Sequence, residues 1–177
     1  NVSGTWTKIG SDIDGEASSD ESGTSVSLSS DGTIVAIGAP FNDGSYSNSG
    51  HIRVYKNTSG TWTKIGSDID GEALYDESGS SVSLSSDGTV VAIGAPFNDG
   101  SYSNSGHIRV YKNTNGTWTK IGSDIDGTLT NYNTGKTNRI SLSGDGSTLV
   151  TGEIVSGSNN GKVKVYKNVS GTWTQKG

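Results

Sequence analysis

The sequence predicts an all-β protein made of tandem four-stranded antiparallel sheets, and three observations carry that prediction. The chain copies itself: Gly4, Gly60, Gly116 and Gly171 each sit in a [S/N]-G-T-W motif, at spacings of 56, 56 and 55 residues. A fixed period of this size marks a repeat architecture. Within each copy, strand-length runs of alternating or continuous apolar residues are divided by Gly-, Asn- and Asp-rich turn signals. No stretch sustains a helical period, and the Ser residues and 27 Gly would weaken any helix that tried to form.

The repeat frames as residues 11–66, 67–122 and 123–177, with residues 1–10 left over at the start as a copy of a repeat's last strand. The first two repeats differ only at Ser18/Leu74, Ser19/Tyr75, Thr24/Ser80, Ile34/Val90 and Ser59/Asn115, while the third is divergent. In the first repeat, residues 25–29 (Ser-Val-Ser-Leu-Ser) alternate, the period of a half-buried strand. Asp31-Gly32 then signals a tight hairpin. Residues 33–38 are nearly all apolar, which fits a strand covered on both faces. A polar loop, residues 41–50, leads to residues 51–56, where Ile52 and Val54 share a face. The turn Asn57-Thr-Ser-Gly leads to the Trp strand, residues 61–65. Four short strands per unit, in tandem, read as propeller-type blades. A β-solenoid is the rival, but its coils are usually shorter and need no Asp-Gly hairpin in each one.

Three blades fall short of the usual four to eight of a closed propeller, and an open sheet end seeks a partner. The chain therefore reads as a piece of a longer propeller, as one part of a ring closed by other copies, or as blades stacked along a fibre. The additional Trp strand at residues 1–10 can complete a blade supplied from elsewhere. With no Met, the chain reads as a processed product or an excerpt, and no cationic-apolar leader opens it. With no Cys, it has no disulfide, thiolate metal site or Cys nucleophile. The net charge of −5 and the scattered basic residues exclude a nucleic-acid footprint, and no apolar run is long enough for a membrane-spanning helix.

The segment from Gly23 to Pro40, with Gly38-Ala39-Pro40 after its apolar strand and Gly94-Ala95-Pro96 in the second copy, resembles an FG-GAP repeat, the blade type of integrin α-chain propellers. The stretches around Gly50-His-Ile-Arg-Val-Tyr and Gly-Thr-Trp resemble a variant found in secreted and surface proteins of marine microbes and algae. The third repeat departs from the pattern, with Gly152-Glu-Ile in place of Gly-Ala-Pro. The resemblance implies an extracellular or cell-surface module of structural or adhesive role, and not an enzyme.

Several residue groups are candidate sites. Propellers of this family often hold Ca²⁺ on spaced carboxylates, and hard cations need several converging oxygens. Asp12, Asp14, Glu16 and Asp20, copied as Asp68, Asp70, Glu72 and Asp76, offer such a spacing, although each Gly falls at a different offset from the family's. The alternative is a solvated acidic loop. Asp43, Tyr46 and Asn48, copied as Asp99, Tyr102 and Asn104, could bind a sugar, the ring stacking on a pyranose and the amide meeting its hydroxyls; a plain polar connection is the alternative. Asn1, Asn57, Asn115 and Asn168 begin N-x-[ST] sequons. Trp6, Trp62, Trp118 and Trp173 are expected to pack between blades, since repeat units bury their apolar faces on their neighbours.

Catalysis has little support. The two His residues, His51 and His107, are copies of one another on a strand, with no local partner that would build a triad. No Gly-x-Ser-x-Gly elbow and no phosphate loop is present. The expected function is therefore a non-enzymatic structural or adhesive repeat protein whose main partner is itself, as a fixed oligomer or filament. The alternative is a lectin-like module, Ca²⁺-dependent or not, for glycans or surface proteins.

Overall fold

The computed structural model describes residues 4–128, 140–154 and 161–177. Among these there is no α-helix; the chain forms fourteen strands in three sheets.

The first blade comprises β1 (Ser25–Leu28), β2 (Ile34–Ala39), β3 (His51–Thr58) and β4 (Thr61–Lys64), antiparallel in that order. A two-residue strand, β5 (Ile69–Asp70), pairs with the start of β3, so that both β4 and β5 lie along one edge of it. The second blade repeats this with β6 (Ser81–Leu84), β7 (Val90–Ala95), β8 (His107–Thr114), β9 (Thr117–Lys120) and β10 (Ile125–Asp126). The third has β11 (Ile140–Leu142), β12 (Thr148–Ile154), β13 (Gly161–Val169) and β14 (Thr172–Lys176). The four strands expected per repeat are thus present. The short β5 and β10 are additional, because a two-residue pairing leaves no readable period.

Each hairpin from the first to the second strand of a blade is held the same way. Ser29 Oγ and Thr33 N donate to Asp31 Oδ1 at 2.7 and 2.9 Å, and Gly32 N donates to Ser29 O at 3.0 Å. Asp87 and Asp145 do the same in the other blades. These hydroxyl and amide donors favour the carboxylate, and they hold Asp145 down to about 2.

The blades stack through alternate faces. Ala36, Ile52, Val54 and Ile69 of the first blade meet Leu84, Val91 and Ile93 of the second. Val90, Ala92, Ile108, Val110 and Ile125 of the second meet Leu142, Leu149 and Tyr166 of the third. Burial on both sides makes β7 covered along its whole length. β2, almost identical in sequence, has Val35 and Ile37 only half-covered, because no blade among the described residues lies over that face. The serines of the alternating strand are not on a solvated face. Ser27 Oγ accepts from Leu84 N, and Ser83 Oγ accepts from Leu142 N, both at 2.9 Å. Ser25 Oγ donates to Gly79 O at 2.6 Å. Small hydroxyl side chains let β1, β6 and β11 come together where the blades converge.

The terminal strand expected at residues 1–10 is not formed as such: among residues 4–10 only Thr5 makes a bridge, and all seven are exposed. The segment still holds an outer-strand position, for Trp62 Nε1 donates to Ile9 O at 3.0 Å. Trp118 donates in the same way to Ile65 O at 2.8 Å, and Trp173 to Ile121 O at 2.9 Å.

Candidate functional site

The acidic stretch of the second repeat is divided by β5. Pairing of Ile69–Asp70 with β3 takes Asp68 and Asp70 to the first blade, and the chain then crosses to the second, carrying Glu72 and Asp76 with it. Asp68 receives Lys64 Nζ at 2.6 Å and Arg53 Nε at 3.4 Å. Glu72 pairs with Arg109 at 3.1 Å. Asp76 is buried and accepts from Asn98 Nδ2 at 2.9 Å; burial raises its pKa against that hydrogen bond. The first copy divides likewise. Asp12 pairs with Lys8 at 2.8 Å, Glu16 with Arg53, and Asp20 with Asn42 Nδ2 at 2.7 Å. Asp14 borders a cleft with Tyr55 and Trp62. Within one stretch, then, most of the acids pair with separate cations and amides, and a different grouping brings acids of two stretches together.

That grouping joins two successive loops across one strand. His107 at the start of β8, Glu72 before the blade and Asp124 after it place one ligand atom each within 4.8 Å of one another, and Glu16, His51 and Asp68 do so one repeat earlier. His51 and His107 are 3 % and 2 % exposed. Burial, and next the Arg109 charge, pull the His107 imidazole down to about 4, against a smaller opposing effect of Asp124. The ring is thus neutral near pH 7, with free lone-pair capacity. Its Nε2 is buried without a hydrogen-bond partner among the described residues. Arg109 braces the group: Nη2 donates to Asp70 O at 2.8 Å, and the guanidinium lies 5.7 Å from the centre of the Tyr111 ring. A cavity of about 380 Å³ opens here, lined by His107, Asn98 and the carboxylates of Glu72, Asp76, Asp99, Asp124 and Asp126. In the sequence the acids and the His belong to separate motifs. The signal that could have joined them is that Glu, His and Asp recur together at the same offsets.

The Asn-Asp-Gly loops are closed from within. Asp43 Oδ1 accepts from Asn48 N, and Asp99 Oδ1 from Asn104 N, both at 2.8 Å. Asn48 and Asn104 sit at φ of 49°, a left-handed position that Asn tolerates. Tyr46 and Tyr102 project, each about half exposed, and Asp43 and Asp99 are exposed beside them. Trp62, Trp118 and Trp173 are half-buried, and the last two pack against the inter-blade clusters. Trp6 is 85 % exposed and does not fill the inter-blade role expected of it; among the described residues no outer strand lies within its reach.

The sequons divide by burial. Asn57 and Asn168 turn Oδ1 to the amides of Gly60 and Gly171 at 3.0 Å and bury Nδ2, the atom a glycan would need. Asn115 is exposed at the turn apex, and Asn1 lies outside the described residues.

No family model matches the sequence, and no curated protein matches it. Solved structures share the fold. A provisional 6-phosphogluconolactonase from Bacteroides uniformis aligns with TM-score 0.56 at 16 % identity, over 85 % of this chain and 38 % of that one. Sqt1 from Saccharomyces cerevisiae aligns at 0.54 and 15 %, over 89 % and 35 %. Hydrazine synthase from Kuenenia stuttgartiensis aligns at 0.50 and 13 %, over 99 % and 38 %. The chain thus spans little more than a third of these proteins. At such identities the likeness is one of fold, an all-β propeller-type arrangement of blades.

Proposed function

We propose that the protein is a non-enzymatic structural or adhesive module that assembles head to tail with further copies of itself through its end blades. One observation supports this above all. Val26 and Leu28 on the rear face of the first blade are 64 % and 58 % exposed, while Leu84 and Leu142 at the position of Leu28 are 7 % and 8 %. On the front face of the third blade Val163 is 74 % exposed, while Ile52 and Ile108 at its position are fully buried. The two open faces are the two halves of the contact that already joins neighbouring blades. Each apolar side chain fully covered there contributes about 1.5–3 kcal/mol. A front-to-rear contact is heterologous, and it generates rings or filaments according to whether the rotation closes. Residues 4–10, exposed and held by one bridge and the Trp62 hydrogen bond to Ile9, yield the outer-strand position to β14 of the incoming copy. We also propose, from the resemblance of its Gly23–Pro40 segment to an FG-GAP repeat alone, that it works outside the cell or on its surface.

Sedimentation velocity over a range of concentrations tests the reading. Wild type is expected to form concentration-dependent oligomers, and Leu28→Lys to sediment as a monomer with an unchanged β-sheet spectrum. A wild-type chain that stays monomeric throughout would end the proposal.

A further inference from the structure

We propose that Glu72, His107 and Asp124 form a binding site for a divalent transition-metal ion of the Zn²⁺ type, with a second site at Glu16, His51 and Asp68.

The donor set comes first. One imidazole nitrogen and two carboxylates, with one ligand atom from each within 4.8 Å of the others, match the N/O sites of such ions. An imidazole donor weighs against Ca²⁺, which takes oxygen ligands. The carboxylates are half-committed. Arg109 holds Glu72 through Oε1, and Lys120 holds Asp124 through Oδ1 at 2.8 Å. These pairs fix the side chains and leave the second oxygen of each for another cation. At the earlier site Glu16 keeps Oε2 toward His51 Nδ1 at 4.0 Å, but Asp68 meets Lys64 through Oδ1 and Arg53 through Oδ2, so that site is the weaker of the two.

The buried imidazole is an independent observation. His107 is 2 % exposed, lines the cavity, and keeps Nε2 without a partner among the described residues. A buried polar group left unsatisfied is costly. Charge points the same way. Five carboxylates line the cavity, against Arg109 and Lys120 as the paired cations, so negative charge remains in excess.

The third repeat supplies the contrast. Its pairing register puts Lys162 opposite Glu153 where His51 stands opposite Ala39, and Thr128 replaces the Glu. The ligands are lost there: Lys162 at the imidazole's position is exposed, and the cation that is buried is Lys164, at the position of Arg53, 2.8 Å from Glu153. A bound ion would tie the loop entering a blade to the loop leaving it, across that blade's third strand.

The chain has only two His residues, so their ring nitrogens report the sites directly. ZnCl₂ is titrated into chelator-stripped full-length protein and followed by ¹⁵N-imidazole NMR, with calorimetry for stoichiometry. Both imidazoles are expected to shift, saturating at two ions per chain, and excess CaCl₂ is expected not to reverse the shift. In Glu72→Gln/Asp124→Asn, which alters only cavity-facing side chains, His107 is expected to stop responding while His51 still shifts. That intact His51 response also shows that the variant is folded. The proposal is overturned if neither ring responds to Zn²⁺, if Ca²⁺ displaces it, or if His107 responds equally in the double variant. Because the readout is local to the rings, these outcomes are separable from success or failure of head-to-tail assembly.

Discussion

At the level of single residues, the side chains with the strongest consequences are those whose burial conflicts with their charge. His107 has an ordinary pKa of 6.5 in the unfolded chain and one lowered to about 4 when folded. Between these values the unfolded state binds the proton more readily, so stability is fully present above about pH 6.5 and falls as pH drops toward 4. Burial shifts His51 in the same direction. The hairpin carboxylates of Asp31, Asp87 and Asp145 are lowered below 3.8 and so lose their contribution only at more acid pH. Urea unfolding in the presence of EDTA is expected to show a loss on the order of 3 kcal/mol from pH 7 to 4; a flat profile would contradict neutral burial of the imidazole. The two His were legible in the sequence only as copies on a strand. Their burial was not, because the residues that bury and surround them arrive from loops on either side of the blade.

At the level of elements, the outer strands depend on a glycine that follows them. Gly66 has φ of 73°, and a Cβ there would meet the carbonyl of Gly116 in the next blade's turn and the Trp118 ring at 3.1 Å. Both the left-handed backbone and the close approach exclude a side chain. Gly66→Ala is expected to destabilise the protein by about 1–3 kcal/mol, measured by denaturant midpoint. An equally stable variant would show that the turn yields without cost. The four principal strands of each repeat were readable because alternation and apolar runs report burial directly. The acidic stretch reads as one loop in the sequence because Ile69 alone marks β5, and one apolar residue sets no period.

At the level of the whole molecule, near-identical sequences sit in different environments. Val35 and Ile37 are half-covered where Val91 and Ile93 are fully buried. Native-state hydrogen exchange at low protein concentration is expected to be slowest in β7 and β8 and measurably faster in β2, despite the shared sequence. At concentrations where copies associate, β2 and the strand bearing Val163 should slow together. Equal protection of β2 and β7 at low concentration would mean that the end faces are not open.

The sequence by itself determined the unit: its period, its four strands, its Asp-Gly hairpins and the apolar residues that face other blades. These are properties of neighbouring residues, and local periodicity and turn chemistry encode them. Only the tertiary structure decided which copies of those residues are covered, that the first segment stands in an outer-strand position without becoming a strand, and that acids from two successive loops meet one buried imidazole. The reason is geometric. Burial at the ends of a stack depends on whether a neighbour is present, and a site shared by two loops depends on how the blade between them returns the chain; neither is written within a single repeat.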